Sequence, residues 1–132
     1  MLIVILAAMI KNHLKALLKK NLPFEPTGCQ ARLIEGLSIF ISSEEQDEIM
    51  LIKGYAGTGK TTMINSLTKT LQSLKIRTVL MAPTGRAAKV MAGYTGMPAF
   101  TIHKRIYRQQ SSADGMGKFV LDKNLFKNTY FI

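Results

Sequence analysis

Ile49-Met50-Leu51-Ile52-Lys53-Gly54-Tyr55-Ala56-Gly57-Thr58-Gly59-Lys60-Thr61 is an apolar run followed at once by the pattern G-x-x-x-x-G-K-[ST]. Backbone that curls around a phosphate with its N–H groups pointing inward leaves no room for side chains, which is why glycines recur. In such a loop Lys60 reaches the β- and γ-phosphates and Thr61 sets a hydroxyl on Mg²⁺, with Thr62 extending the hydroxyl pair. The helix that starts here adds its free N–H groups and the positive end of its dipole. A chance Gly-rich turn is the plain alternative. The context weighs against it, because Met63, Ile64, Leu67, Leu71 and Leu74 follow at helical spacing and place the loop between a strand-like run and a helix. Gly54, Ala56, Gly57, Thr58, Gly59, Lys60, Thr61 and Thr62 are therefore expected to hold a nucleotide, ATP with Mg²⁺. Lys60 is the expected catalytic group and Thr61 the expected metal ligand.

Outward from the loop the pattern alternates. Ile49 to Lys53 reads as a strand, and Ile76-Arg77-Thr78-Val79-Leu80-Met81-Ala82 as a second one stopped by Pro83. Gly85 to Met91 has the composition of a helix, so the order is β-α-β-α. Strands joined through helices need crossovers, which gives an α/β fold with a parallel sheet covered by helices. Ligands of such sheets bind at the carboxyl ends of strands, so the loop and Pro83-Thr84-Gly85 are expected at one edge. Upstream, Leu33, Ile34, Leu37, Phe40 and Ile41 mark a helix with one buried stripe, and Ser42 to Glu48 is an acidic surface loop. Downstream, Arg108 to Gly117 reads as a flexible loop, Phe119-Val120-Leu121 as a short strand, and Thr129 to Ile132 as the start of another. No internal repeat is visible.

The 132 residues suit one domain of ordinary size. Within it, an N-terminal helical segment, 1–43, precedes the incomplete α/β part, 44–132. A single cysteine, Cys29, excludes an internal disulfide and fits a reducing cytoplasm. The apolar opening, Met1 to Ile10, is too short to span a bilayer, which takes about 20 residues, and lacks the basic start of a signal peptide. It reads as the beginning of an amphipathic helix through Leu14, Leu17 and Leu18, or partly, over Met1 to Ala8, as residues ahead of a start at Met9. No stable membrane association is expected.

Formal charge is +10, and its placement says more than its size. From Ile49 to Ala113 there is no Asp or Glu, whereas Lys53, Lys60, Lys69, Lys75, Arg77, Arg86, Lys89, Lys104, Arg105 and Arg108 all fall in that window. A basic surface attracts polyanions by counterion release, and nucleic acid is the natural partner of a protein that also handles a nucleotide. A solvated basic face is the simpler reading of charge alone.

Ala82-Pro83-Thr84-Gly85-Arg86-Ala87-Ala88-Lys89, then Thr95-Gly96, then Thr101-Ile102-His103-Lys104 stand behind the phosphate loop. In this order and spacing, over roughly residues 22 to 132, the sequence resembles the RecD-type, Dda-like branch of superfamily-one DNA helicases. The resemblance implies a RecA-like motor domain, in which Pro83, Thr84, Gly85 and Arg86 touch the backbone of single-stranded DNA and Thr101, His103 and Lys104 continue the track. Small hydroxyl and Gly positions let backbone N–H groups approach phosphate, and a His ring or Arg binds phosphate or stacks on a base. A helix-capping or core histidine is the simpler reading of His103 alone. The family also carries a glutamine that reads the adenine edge, commonly in T-P-E-Q. Here Thr27-Gly28-Cys29-Gln30 keeps Gln30 with its amide, while Gly28-Cys29 stands for Pro-Glu in what is expected to be a less rigid loop.

Hydrolysis in this family needs a carboxylate pair after a further strand, plus an arginine finger from a second motor domain. The acids after the loop are Asp114, in a Gly/Ser stretch, and Asp122, beside Lys123 and Asn124, and neither directly follows an apolar strand in the family's manner. Asn128 to Ile132 reads as the strand that carries the pair, ending just before it. The expectation is the amino-terminal, ATP-binding part of a 5′-to-3′ helicase, with turnover absent or very slow without a C-terminal motor domain supplied in cis or in trans. Two rivals stand beside it: a small phosphate-loop kinase, which would need an acceptor-binding carboxylate and an Arg-rich lid, and a non-enzymatic nucleic-acid-binding module with a vestigial site. An open strand edge would further favour low stability or self-association.

Overall fold

In a computed structural model, residues 2–45, 47–110 and 118–132 are described. The chain forms two compact units, Met1–Thr70 and Leu71–Ile132.

The first unit is built on three helices: α1 (Leu2–Lys20), α2 (Gly28–Ile41) and most of α3 (Lys60–Ser73). Leu14, Leu18 and Leu22, at or just beyond one stripe of α1, are buried, as are Ile34 and Leu37 of α2 and Met63 and Leu67 of α3. The spacing of four between the α1 leucines is what keeps them on a single face. Lys19 and Lys20 in the last turn of α1 complement its dipole. The seam with α3 is polar but paired: Ser66 Oγ donates to the Leu18 carbonyl at 2.6 Å and Asn21 Nδ2 to Thr70 Oγ1 at 3.0 Å. Such pairing removes the penalty of burying a hydroxyl. A Lys15–Glu35 ion pair, half-buried on the lysine side, links α1 and α2. Among the described residues no helix is long and apolar enough to cross a membrane.

Two local expectations change in this unit. Helix α2 starts at Gly28, well before Leu33, because Thr27 caps it: the Thr27 hydroxyl accepts from the Gln30 N–H and the Gln30 side chain accepts from the Thr27 N–H. Gly28 and Cys29 are thus the first turn of a helix and not a loop. The second change is at Ile49 to Lys53, where no residue belongs to a strand. Exposure still alternates as in a strand, with Ile49 at 94% and Leu51 at 72% against half-buried Met50 and Ile52. Met50 Cε packs 3.2 Å from the place a Cβ would take on Gly36. One side of the run therefore covers α2, while among the described residues its backbone has no neighbouring strand with which to form a ladder. Residues 43–45 and 47–48 form the expected connection, and Gln46 lies outside the described residues.

The second unit carries the sheet. β1 (Arg77–Ala82) is central, with β2 (Ala99–Thr101) on one side and β5 (Thr129–Phe131) on the other, both parallel to it. α4 (Gly85–Thr95) is the crossover from β1 to β2 that a parallel pair demands. Val79, Leu80 and Ala82 of β1 are buried, as is Ala88 of α4. The ladder to β5 runs on past its end, with Met81 N–H donating to the Ile132 carbonyl at 2.6 Å and Ile132 N–H to Val79 at 3.0 Å. The fold is thus α/β, with a small, incomplete parallel sheet and flanking helices.

After β2 come the short α5 (Ile102–Ile106) and a two-stranded antiparallel hairpin of β3 (Tyr107–Gln110) and β4 (Lys118–Leu121). Arg108 to Gln110, expected in a flexible loop, are therefore part of a strand, and residues 111–117, Asp114 among them, lie outside the described residues. Arg105 is held between two rings, its guanidinium carbon 4.7 Å from the centre of Phe100 and 4.6 Å from that of Phe126. Phe126 in turn meets Phe131 of β5 edge-on at 5.7 Å.

Candidate functional site

The loop from Gly54 to Thr61 owes its curl to two left-handed residues, Gly57 at φ 78° and Gly59 at φ 83°. An L side chain at either position would be strained. At Gly54 the limit is space: a Cβ there would come within 2.9 Å of Thr58 Oγ1. Thr58 closes the turn from within, its hydroxyl donating to the Tyr55 carbonyl at 2.8 Å and its N–H to the same oxygen at 3.4 Å. Met63 N–H then donates to the Gly59 carbonyl at 2.9 Å and the chain passes into α3.

Lys60, at the first position of α3, folds back over the loop. Its Nζ donates to the carbonyls of Gly54 at 2.6 Å and Tyr55 at 2.5 Å. Gly54, Tyr55, Ala56, Gly57 and Thr58 are exposed, Thr61 is exposed, and Gly59, Lys60 and Thr62 are half-buried. An anion arriving here meets an ammonium, a helix N-terminus and an open loop backbone. That donor set fits a triphosphate. Gln30 also belongs to this site, its Nε2 donating to the Thr58 carbonyl at 3.3 Å.

The second group of expected residues lies in the sheet unit. Ala82 of β1 is paired in register with Thr101 of β2, so Pro83-Thr84-Gly85-Arg86 and Thr101-Ile102-His103-Lys104 leave the sheet side by side at the carboxyl ends of parallel strands. Pro83, Thr84, Gly85, Arg86, His103 and Lys104 are exposed. The two threonines have structural work as well: Thr84 Oγ1 accepts from the Ala87 N–H and Thr101 Oγ1 from the Lys104 N–H, each at 3.2 Å, capping α4 and α5. The His103 ring lies 5.1 Å from that of Tyr107, tilted by 31°. Sequence reading passed over Tyr107, although its spacing of four from His103 was the available signal.

Of the two acids after the loop, Asp122 is described, and against expectation it directly follows a strand, β4, whose residues are exposed apart from half-buried Val120. Asp122 Oδ1 lies 3.7 Å from Arg108 Nε and accepts from the Lys123 N–H at 3.0 Å. Among the described residues, no three of His, Cys, Asp and Glu gather as a metal site.

A family model described as an AAA domain matches residues 31–127. The ATP-dependent RecD2 DNA helicase of Deinococcus radiodurans is 36% identical to this chain over 56 residues, which is 42% of the chain and 8% of that helicase. The chain therefore spans a small part of the length of this relative. No solved structure matches. The RecD-type resemblance is supported by both findings. With the match running from α2 through the loop and α3 to beyond the β3–β4 hairpin, the chain belongs to the AAA domain family.

Proposed function

We propose that this chain is the ATP-binding part of an ATP-dependent DNA helicase that moves along single-stranded DNA, in the 5′-to-3′ direction that the resemblance implies. The observation that carries the reading is the loop itself: Gly57 and Gly59 in left-handed conformation, Lys60 folded over them, and α3 beginning at Lys60. In this reading the Lys60 ammonium leaves the carbonyls of Gly54 and Tyr55 for the β- and γ-phosphate oxygens, exchanging neutral acceptors for charged ones. Loop N–H groups and the first turn of α3 take the remaining phosphate charge. Thr61, with Thr62 beside it, contributes the hydroxyl that holds Mg²⁺, which when bound neutralises phosphate charge.

Pro83, Thr84, Gly85, Arg86, Thr101, His103 and Lys104 form the DNA track, with Arg86 and Lys104 as phosphate contacts and His103 as a phosphate or base contact. The named relative is an ATP-dependent DNA helicase, and the basic, acid-free window from Ile49 to Ala113 supports the same partner. In this reading hydrolysis is absent or very slow without a C-terminal motor domain, in cis or in trans, and Asp122, beside Arg108 and its own turn, has no part in it. Such work would be done in the cytoplasm.

The test is ATP binding and ATP hydrolysis by the purified chain, with and without single-stranded DNA, beside Lys60→Ala. Binding that is lost in the variant, with no DNA-stimulated turnover, supports the reading. DNA binding indifferent to ATP would favour the nucleic-acid-binding module instead, and robust Lys60-dependent turnover would overturn the inactivity.

A further inference from the structure

Gln30 is engaged at both ends of its amide. Its Oε1 accepts from the Thr27 N–H at 3.0 Å, completing the cap of α2, and its Nε2 donates to the Thr58 carbonyl at 3.3 Å. A Cβ on Gly59 would stand 2.9 Å from the same nitrogen, so the phosphate loop is shaped around this side chain. Only one orientation of the amide satisfies both neighbours, since a flip would set N–H against N–H and oxygen against oxygen. Asparagine, one methylene shorter, would have less reach, and an apolar side chain would make neither bond. The neighbouring contacts thus use a donor and an acceptor that the family's adenine reading assigns to a base.

We propose that Gln30 is a positioning residue of the phosphate loop, tying residues 54–59 to the start of α2 and so setting the loop's affinity for a triphosphate whatever base it carries. The proposal rests on the triphosphate reading of the loop. A residue that reads adenine changes affinity for ATP against GTP and leaves a base-free phosphate chain untouched. A residue that positions the loop changes all three together. The loop bond is a single neutral hydrogen bond, slightly longer than the usual range, so its loss is expected to weaken binding roughly 2- to 10-fold.

The experiment titrates ATP, GTP and inorganic tripolyphosphate, each with Mg²⁺, into the full chain and into Gln30→Leu. It also follows backbone order parameters of residues 54–59 by NMR relaxation without nucleotide, in the same chains and in Gln30→Glu. Glutamate keeps an acceptor for the Thr27 N–H and loses the donor to Thr58, which separates the loop tie from the helix cap. Similar losses for all three ligands in Gln30→Leu, and lowered order at Gly57 and Gly59 in both variants with α2 unchanged in Gln30→Glu, are the expected results. A loss confined to ATP, or loop order that stays at the wild-type level in both variants, would overturn the proposal. If the wild-type chain bound none of the three ligands, the triphosphate reading would fail, and the affinity claim with it. The order parameters would still decide whether Gln30 restrains the loop.

Discussion

Lys60 closes on Gly54, its ammonium 2.6 Å from the carbonyl oxygen of the residue that opens the loop. The side chain that would meet phosphate is thus held by the loop's own backbone, and a nucleotide must offer it more than two carbonyls do. The ammonium's bonds to carbonyls are charge-assisted already, and phosphate oxygens add an opposite formal charge to them; hydrogen bonds involving charged groups contribute about 1.5–3 kcal/mol. Lys60→Ala is expected to weaken ATP binding by roughly 10- to 150-fold on that scale, measured by titration calorimetry, with thermal stability changed little.

Gly57 and Gly59 separate strain from crowding. Both have positive φ, but a Cβ on Gly57 meets nothing within 4 Å while one on Gly59 meets Gln30 Nε2 at 2.9 Å. Gly57→Ala is expected to cost about 1–2 kcal/mol from the left-handed conformation alone, and Gly59→Ala more. Equal costs in denaturant unfolding would mean that Gln30 simply moves aside.

Thr84 and Thr101 each cap a helix, so their removal has a stability component to be subtracted before any DNA effect is read. Thr84→Ala is expected to destabilise by about 1 kcal/mol, with Thr84→Ser near neutral because the serine hydroxyl accepts the same Ala87 N–H. Urea midpoints of the two variants are the check.

Arg86 is exposed and has no part in the core. Arg86→Ala should leave stability within about 0.5 kcal/mol. It should also weaken single-stranded DNA binding across all sequences and make the slope of log affinity against log salt shallower by about 0.7, as the loss of one phosphate contact does. An unchanged slope would remove Arg86 from the track.

Ile49 and Leu80 are both apolar in strand-like runs, yet one is 94% exposed and the other 0%. Leu80→Ala is expected to cost about 2–5 kcal/mol, and Ile49→Ser no more than about 0.5. A large loss at Ile49 in equilibrium unfolding would show that this run pairs as a strand.

The phosphate loop was legible because its glycines answer to local backbone geometry, which a short window of sequence contains. So were β1 and the crossover α4, where Pro83 stops one element and Thr84 starts the next. The start of α2 is equally local: Thr27-x-x-Gln30 is a capping box, a pattern that competes with the adenine reading of Gln30. Ile49 to Lys53 failed for a different reason. Its alternation is real, but a strand exists only with a neighbour in register, and that is not a property of the run itself. Arg108-Gln109-Gln110 reads as loop for the converse reason, since these polar residues become part of β3 through pairing with Lys118 to Val120.

The central strand draws its two neighbours from very different distances along the chain. Leu80 finds Ala99 across one helix, whereas Arg77 must wait for Thr129, beyond α5 and the hairpin. Closing the longer loop carries the larger entropic cost, and contacts so far apart in sequence slow folding. β1, α4 and β2 are therefore expected to assemble as an early nucleus, and β5 to arrive last and leave first. Arg105, gripped by Phe100 on the near side and Phe126 on the far one, bridges the early and late parts of the unit, so its loss should show chiefly in the unfolding rate.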